Sequence, residues 1–118
     1  MDTTTFSVTV RQRPGMAVLD LHGDINGEAE HSLNAGYSTA TQADPGTILL
    51  NFTSVGYINS TGIALIVGLL ARSRTEQRAL LACGLSAHYQ EIFQITRLAD
   101  FMRMFPDEDS AVNDQSAA

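Results

Sequence analysis

Between Phe6 and Arg11 apolar and polar residues alternate, Phe6-Ser7-Val8-Thr9-Val10-Arg11, the period of a strand with one covered face. Pro14-Gly15 supplies a turn, and Met16 to His22 reads as a second strand with Ala17, Leu19 and Leu21 on one face. The two together predict a hairpin. Gly23-Asp24-Ile25-Asn26-Gly27 reads as a loop, because its residues accept tight turns. From Glu28 to Thr41, Ala29, Leu33, Gly36, Tyr37 and Ala40 recur at helical spacing and predict an amphipathic helix with a thin apolar face. After Asp44-Pro45-Gly46, the run Thr47-Ile48-Leu49-Leu50-Asn51-Phe52 predicts a short strand buried on both faces. Ala79 to Cys83 is another unbroken apolar strand, and Gly84 stops it. Ser86 reads as the cap of a helix to about Thr96, with Tyr89, Ile92, Phe93 and Thr96 on one side. Phe101 to Phe105 predicts a last strand, 107–112 a short acidic helix, and 113–118 a disordered tail.

The stretch Val55 to Arg74 stands apart. Its first part is polar and leads to Asn59-Ser60-Thr61-Gly62; nothing charged or polar follows from Ile63 to Ala71, and Arg72 and Arg74 end the run. Asn59 or Ser60 suits a helix N-cap, since a side-chain oxygen there accepts from a first-turn amide. The arginines lie where the helix dipole favours positive charge. Nine apolar residues are too few to span a bilayer, so the pattern predicts a core helix that carries Ser60 towards the surface. Strand pairs separated by helices predict an α/β sandwich, with parallel pairing after the first hairpin and the helices on one face of the sheet.

At 118 residues the chain reads as a single domain able to bury a core without staples. The lone Cys83 excludes an internal disulfide, and the first six residues carry neither basic cluster nor apolar run, which together predict a cytoplasmic protein. The formal charge is −6, and all seven basic residues are arginine. Direct nucleic-acid binding needs a basic footprint, and this balance argues against it.

Ser60 is the obvious nucleophile candidate, yet Ile58 stands where a Gly-x-Ser-x-Gly elbow has its first glycine. His22, His31 and His88 show no metal-ligand spacing and read as surface residues, and Cys83 reads as a small core residue. The amides and hydroxyls of Asn59-Ser60-Thr61-Gly62 form a natural anion site, but the phosphate loop ending in Gly-Lys-Ser/Thr is missing and the chain has no lysine. On spacing alone, the anion site and a plain helix cap at Asn59 and Ser60 both stay open. A small serine hydrolase or nucleotide-binding enzyme is the weaker reading, and no cofactor or metal is implied.

The segment Ile48 to Leu70, I-L-L-N-F-T-S-V-G-Y-I-N-S-T-G-I-A-L-I-V-G-L-L, resembles the signature of the STAS domain family, in particular the bacterial anti-sigma factor antagonists. Gly23-Asp24-Ile25 resembles that family's Gly-Glu/Asp-Leu/Ile loop. Cys83-Gly84-Leu85-Ser86 and Ile92 to Leu98 resemble its last strand-and-helix unit. The likeness covers about Phe6 to Val112. It implies a mixed sheet of about five strands with helices mainly on one face, and a non-enzymatic regulator. It further implies that Ser60, or alternatively Thr61, is phosphorylated by an anti-sigma factor serine kinase. That kinase would be bound through Asp24, Asn26, Asn59, Ser60, Thr61 and Gly62, and released on phosphorylation. Asn51 and Asn59 stand where the family usually has aspartate, which predicts the loss of two acidic groups near the hydroxyl.

Overall fold

The structure is a computed structural model that describes residues 5–116. Strands β1 (Ser7–Arg13) and β2 (Met16–Ile25) form the expected hairpin, and helix α1 (Glu30–Thr41) follows a single 3-10 turn at Gly27–Ala29. Then come β3 (Thr47–Ile58), α2 (Ser60–Thr75), β4 (Ala79–Cys83), α3 (Ala87–Ile95), β5 (Arg103–Phe105) and α4 (Glu108–Ser116). The strands lie in the order β1-β2-β3-β4-β5, antiparallel at the first pair and parallel thereafter. This order never reverses direction. Right-handed crossovers taken in one direction across a sheet all fall on the same side, so α1, α2 and α3 share one face.

Two apolar layers result. Ala17, Leu19, Leu21, Ile48, Leu50, Phe52, Leu80 and Ala82 point towards the three helices and meet Leu33, Tyr37, Ile66, Leu69, Tyr89 and Phe93. Met16, Val18, Leu49, Leu81 and Cys83 point the other way and are covered by Ala111 of α4. Strands buried on both sides are therefore those whose runs are apolar without interruption. Burial pushes the Cys83 thiol up to about 12, so it stays a neutral core group.

Four expectations need correction. The apolar patterns stop at His22 and Phe52, yet β2 reaches Ile25 and β3 reaches Ile58. Beyond Asn51, which faces Cys83 of β4, β3 pairs with β2 alone, and Thr53, Ser54, Gly56 and Tyr57 are exposed, so no apolar run continues. Backbone pairing needs no apolar pattern, so hydropathy is silent there. Second, α2 is not enclosed. Three helices in one layer leave their outer sides bare, and Ala64, Val67, Gly68 and Ala71 are exposed. Third, α4 lies on the face opposite the other helices. Fourth, α4 continues to Ser116 where 113–118 was expected to be disordered, because Asp114 pairs with Arg103 at 2.7 Å and Gln115 accepts from Thr47 at 3.3 Å. Residues 117–118 of that tail lie outside the described residues.

Charge ties α4 to the sheet. Arg11 of β1 donates to both carboxylate oxygens of Asp20 at 2.6 and 2.9 Å and to Glu108 of α4 at 2.7 and 3.1 Å; Arg13 donates to Glu108 at 2.7 Å. These guanidinium bonds, Arg11's above all, hold the Asp20 and Glu108 carboxyls below the usual range. Asn51 joins the network from β3, donating its amide to Asp20 at 2.8 Å while its Oδ1 accepts from the Thr53 hydroxyl at 2.6 Å. An aspartate at this position would meet the Asp20 carboxylate head on. Asn51→Asp is therefore expected to cost about 1–3 kcal/mol in urea unfolding at neutral pH, with most of it recovered when Asp20→Asn is added.

Candidate functional site

The site begins where β3 ends. Two register shifts between β2 and β3 each leave one extra residue on β3, the signature of bulges, which bend and twist a strand pair. They bring Ile58 opposite Ile25 at the tip of the two-stranded extension. Ile58 is buried, and its amide donates to the Tyr89 hydroxyl at 2.8 Å; that hydroxyl donates back to the Ile58 carbonyl at 3.4 Å. One buried phenol thus fixes the last strand residue against α3.

The next residue turns the chain. Asn59 is extended, with φ −90° and ψ −179°, and its amide donates to the Ile25 carbonyl at 3.1 Å. Its side-chain Oδ1 accepts from the Gly62 amide at 2.8 Å, and its carbonyl accepts from Ile63 at 2.9 Å. Asn59 is the N-cap, and Ser60 is the first helical residue. Gly62 is buried against the Ile25 backbone: a Cβ there would overlap the Ile25 carbonyl oxygen and lie 2.9 Å from its carbon. A helix starts this close to β2 only if its third residue lacks a side chain.

That geometry decides what is presented. Ser60 and Thr61 are both exposed. The free amides of the first turn and the positive end of the helix dipole lie directly behind them. The segment after β2 comes alongside. A Cβ on Gly27 would sit 3.6 Å from the Thr61 methyl, and one on Gly56 would sit 3.2 Å from the Asp24 carboxylate. Asp24 is exposed, one residue before the carbonyl that receives Asn59. Asn26 is half-buried and caps the 3-10 turn, accepting from Glu28 at 2.9 Å. Glu28 and Glu30 are exposed, and among the described residues no ion pair involves Asp24, Glu28 or Glu30.

Of the residues singled out in the sequence, Asp24, Asn59, Ser60 and Thr61 therefore gather at one end of the molecule. Gly62 does not face outward; it permits the junction and offers no surface to a partner. Asn51 is not near the hydroxyl at all. It belongs to the Asp20 network at mid-sheet, so only Asn59 changes the charge around Ser60. Tyr89 was read merely as one apolar face of α3; a phenol in a buried stripe, needing a partner for its hydroxyl, was the available signal. His22, His31 and His88 are exposed, and among the described residues no side chain hydrogen-bonds to the Ser60 hydroxyl.

The expected outcomes of breaking the junction differ in size. Asn59→Ala removes one cap bond and is expected to cost about 1 kcal/mol, while Asn59→Asp retains it. Gly62→Ala forces a methyl against the Ile25 backbone and is expected to cost more than Asn59→Ala, about 1–3 kcal/mol. Urea unfolding of the three variants checks this ranking.

A family model described as the STAS domain matches residues 7–111. Over 101 residues the chain is 29% identical to the "Putative anti-sigma factor antagonist BtrV" of Bordetella bronchiseptica, covering 84% of this chain and 83% of that one. It is 34% identical over 64 residues to an "Anti-sigma-B factor antagonist" of Listeria monocytogenes, where the match spans 53% of this chain and 56% of the relative. Among solved structures, the Bacillus cell fate determinant SpoIIAA in its phosphorylated form superposes with a TM-score of 0.69 at 22% identity, over 91% of this chain and 97% of that one.

Proposed function

The chain belongs to the STAS domain family, and on that premise we propose that it is an anti-sigma factor antagonist switched by phosphorylation at Ser60. In this reading the unmodified protein binds an anti-sigma factor serine kinase through the surface around Asp24, Asn59, Ser60 and Thr61, which frees a sigma factor. Phosphorylated protein lets go. Two of the relatives carry the antagonist name, and a structural neighbour is titled as phosphorylated. The protein itself does no chemistry here; the kinase supplies it. Among the described residues no helix is long and apolar enough to cross a membrane.

The supporting observation is the exposed Ser60 hydroxyl at the first residue of a capped helix. Phosphate adds roughly −1.5 to −2 charges and three strong acceptors at neutral pH. At this position the first-turn amides and the dipole accommodate that charge without refolding, because the cap bond and the Ile25 junction lie behind the hydroxyl and are not disturbed. Modification puts a strong negative charge on the surface proposed to meet the partner. Against a carboxylate of the partner ~4 Å away, each added charge costs roughly 4 kcal/mol at an effective dielectric of about 20. Affinity falls tenfold for every ~1.4 kcal/mol, so one phosphate weakens docking by two or three orders of magnitude even after partial screening.

Asn59 favours one second reading, a scaffold of the same fold that is never phosphorylated. A neutral cap removes a carboxylate that a kinase can read, though it keeps the helix start. Such a scaffold forms a complex insensitive to ATP. The two readings separate when purified protein is incubated with its cognate kinase and ATP and digested for mass spectrometry. One phosphate is expected on Ser60, none on Ser60→Ala, and an unchanged result for Thr61→Ala. Ser60→Asp is expected to weaken kinase binding by about two orders of magnitude. Absence of modification together with undiminished binding by Ser60→Asp removes the switch and leaves the scaffold.

A further inference from the structure

The far end of α2 holds a second constellation of charge, separate from Ser60 by the length of the helix. Sixteen residues at about 1.5 Å rise put it some 20 Å away. Here a cleft of about 210 Å³ opens between the last turns of α2, the start of β4 and the segment that leads into β5. Leu70, Leu80 and Phe101 give it apolar walls, and Arg74, Arg78 and Arg103 line it. Three of seven arginines thus meet in one cleft of a chain whose net charge is −6.

The three are not equivalent. Arg78 pairs with Glu76 and Asp44, and Arg103 pairs with Asp114. Arg11, Arg13, Arg72 and Arg97 also pair with carboxylates. Among the described residues Arg74 pairs with none. Its guanidinium stands over the ring of Phe101, 5.1 Å from the centroid, and Phe101 is 55% exposed. Among the described residues no side-chain hydrogen bond or ion pair uses its N–H groups, the donors that match a carboxylate or phosphate.

The backbone supplies one more donor. The Ala79 amide turns towards β3, donating to the Gly46 carbonyl at 2.9 Å. Alternation along a strand sends the next amide, that of Leu80, to the opposite edge. Pairing with β5 on that edge begins only at Leu81 opposite Arg103, so the Leu80 amide faces the cleft. Helix dipole compensation accounts for an arginine near the end of α2. It does not account for an exposed aromatic ring under that arginine, an apolar wall and an uncovered strand edge in the same place.

We propose that this cleft binds a small organic anion, a carboxylate or phosphate on a flat apolar body. The head group lies on Arg74 and the Leu80 amide, and the body lies against Phe101 and Leu70. The volume exceeds the ~150 Å³ that accepts a benzene ring in an engineered protein cavity. The site is distinct from the surface around Ser60 and does not depend on the phosphorylation reading.

Sodium benzoate is the probe, its neutral twin benzamide the control, and inorganic phosphate tests the head group alone. In an amide NMR titration benzoate is expected to move Ala79, Leu80 and Phe101 saturably at millimolar concentrations, and to bind at least about tenfold tighter than benzamide or phosphate. Arg74→Gln is expected to weaken benzoate binding by about tenfold while Ser60→Asp leaves it unchanged. Arg74→Lys, which keeps the charge at the helix end but loses the planar fork, serves as a second variant and is expected to recover only part of the affinity. No shifts at these amides, equal shifts with benzamide, or unaltered benzoate binding by folded Arg74→Gln or Arg74→Lys overturns the proposal.

Discussion

One carbonyl holds the functional end together. The Ile25 oxygen receives the Asn59 amide, and the Gly62 α-carbon packs against the same peptide unit. This contact ties the last residue of β2 to the first turn of α2, and Tyr89 secures the intervening Ile58 from the other side. Everything presented at the surface follows from it. Ser60 is held on the first residue of a helix that cannot shift without breaking the strand junction, so its environment is fixed before any partner arrives.

In the proposed reading, that rigidity lets a small domain change its associations without changing its fold. The cap bond from Asn59 to Gly62 lies behind the hydroxyl, and the apolar contacts of Ile66 and Leu69 lie further along the helix. A charge gained by Ser60 is met by backbone amides already in place. In the proposed reading the consequence is felt at the surface, where Thr61 and Asp24 are also exposed. The opposite end of α2 has the reverse polarity. There Arg74 is the arginine that no carboxylate pairs among the described residues, so one helix links the Ser60 surface to a cleft with a free guanidinium.

The core elements were legible in the hydrophobic pattern because burial on two faces leaves an unbroken apolar run. Ile48 to Leu50 and Leu80 to Cys83 show this, and Ser86 and Asn59 announced their helices by capping chemistry. What lay outside the pattern was held by other forces. The extension of β2 and β3 is held by backbone pairing in a stretch with no apolar run, and Arg11, Arg13 and Arg103 fasten α4 through its acids Glu108 and Asp114. Periodicity carries no trace of either. At the site, motif resemblance singled out Ser60, Asp24 and Gly62; the first two are exposed and Gly62 is buried against β2, since a sequence does not say which side of a glycine is filled. Asn51 misled for a related reason: its partner is Asp20 on the neighbouring strand, and sequence proximity to Ser60 counted for nothing once β3 ran on to Ile58.

The central claim is that negative charge on Ser60 alters docking and leaves the fold intact. Calorimetric titration of the cognate kinase with unmodified protein and with protein carrying phosphoserine at position 60, their amide NMR spectra recorded side by side, tests it most directly. The account predicts affinity lower by two to three orders of magnitude, with spectral changes confined to the neighbourhood of residues 24–28 and 59–63. Equal affinity for the two forms, or changes spread through the sheet, would contradict it.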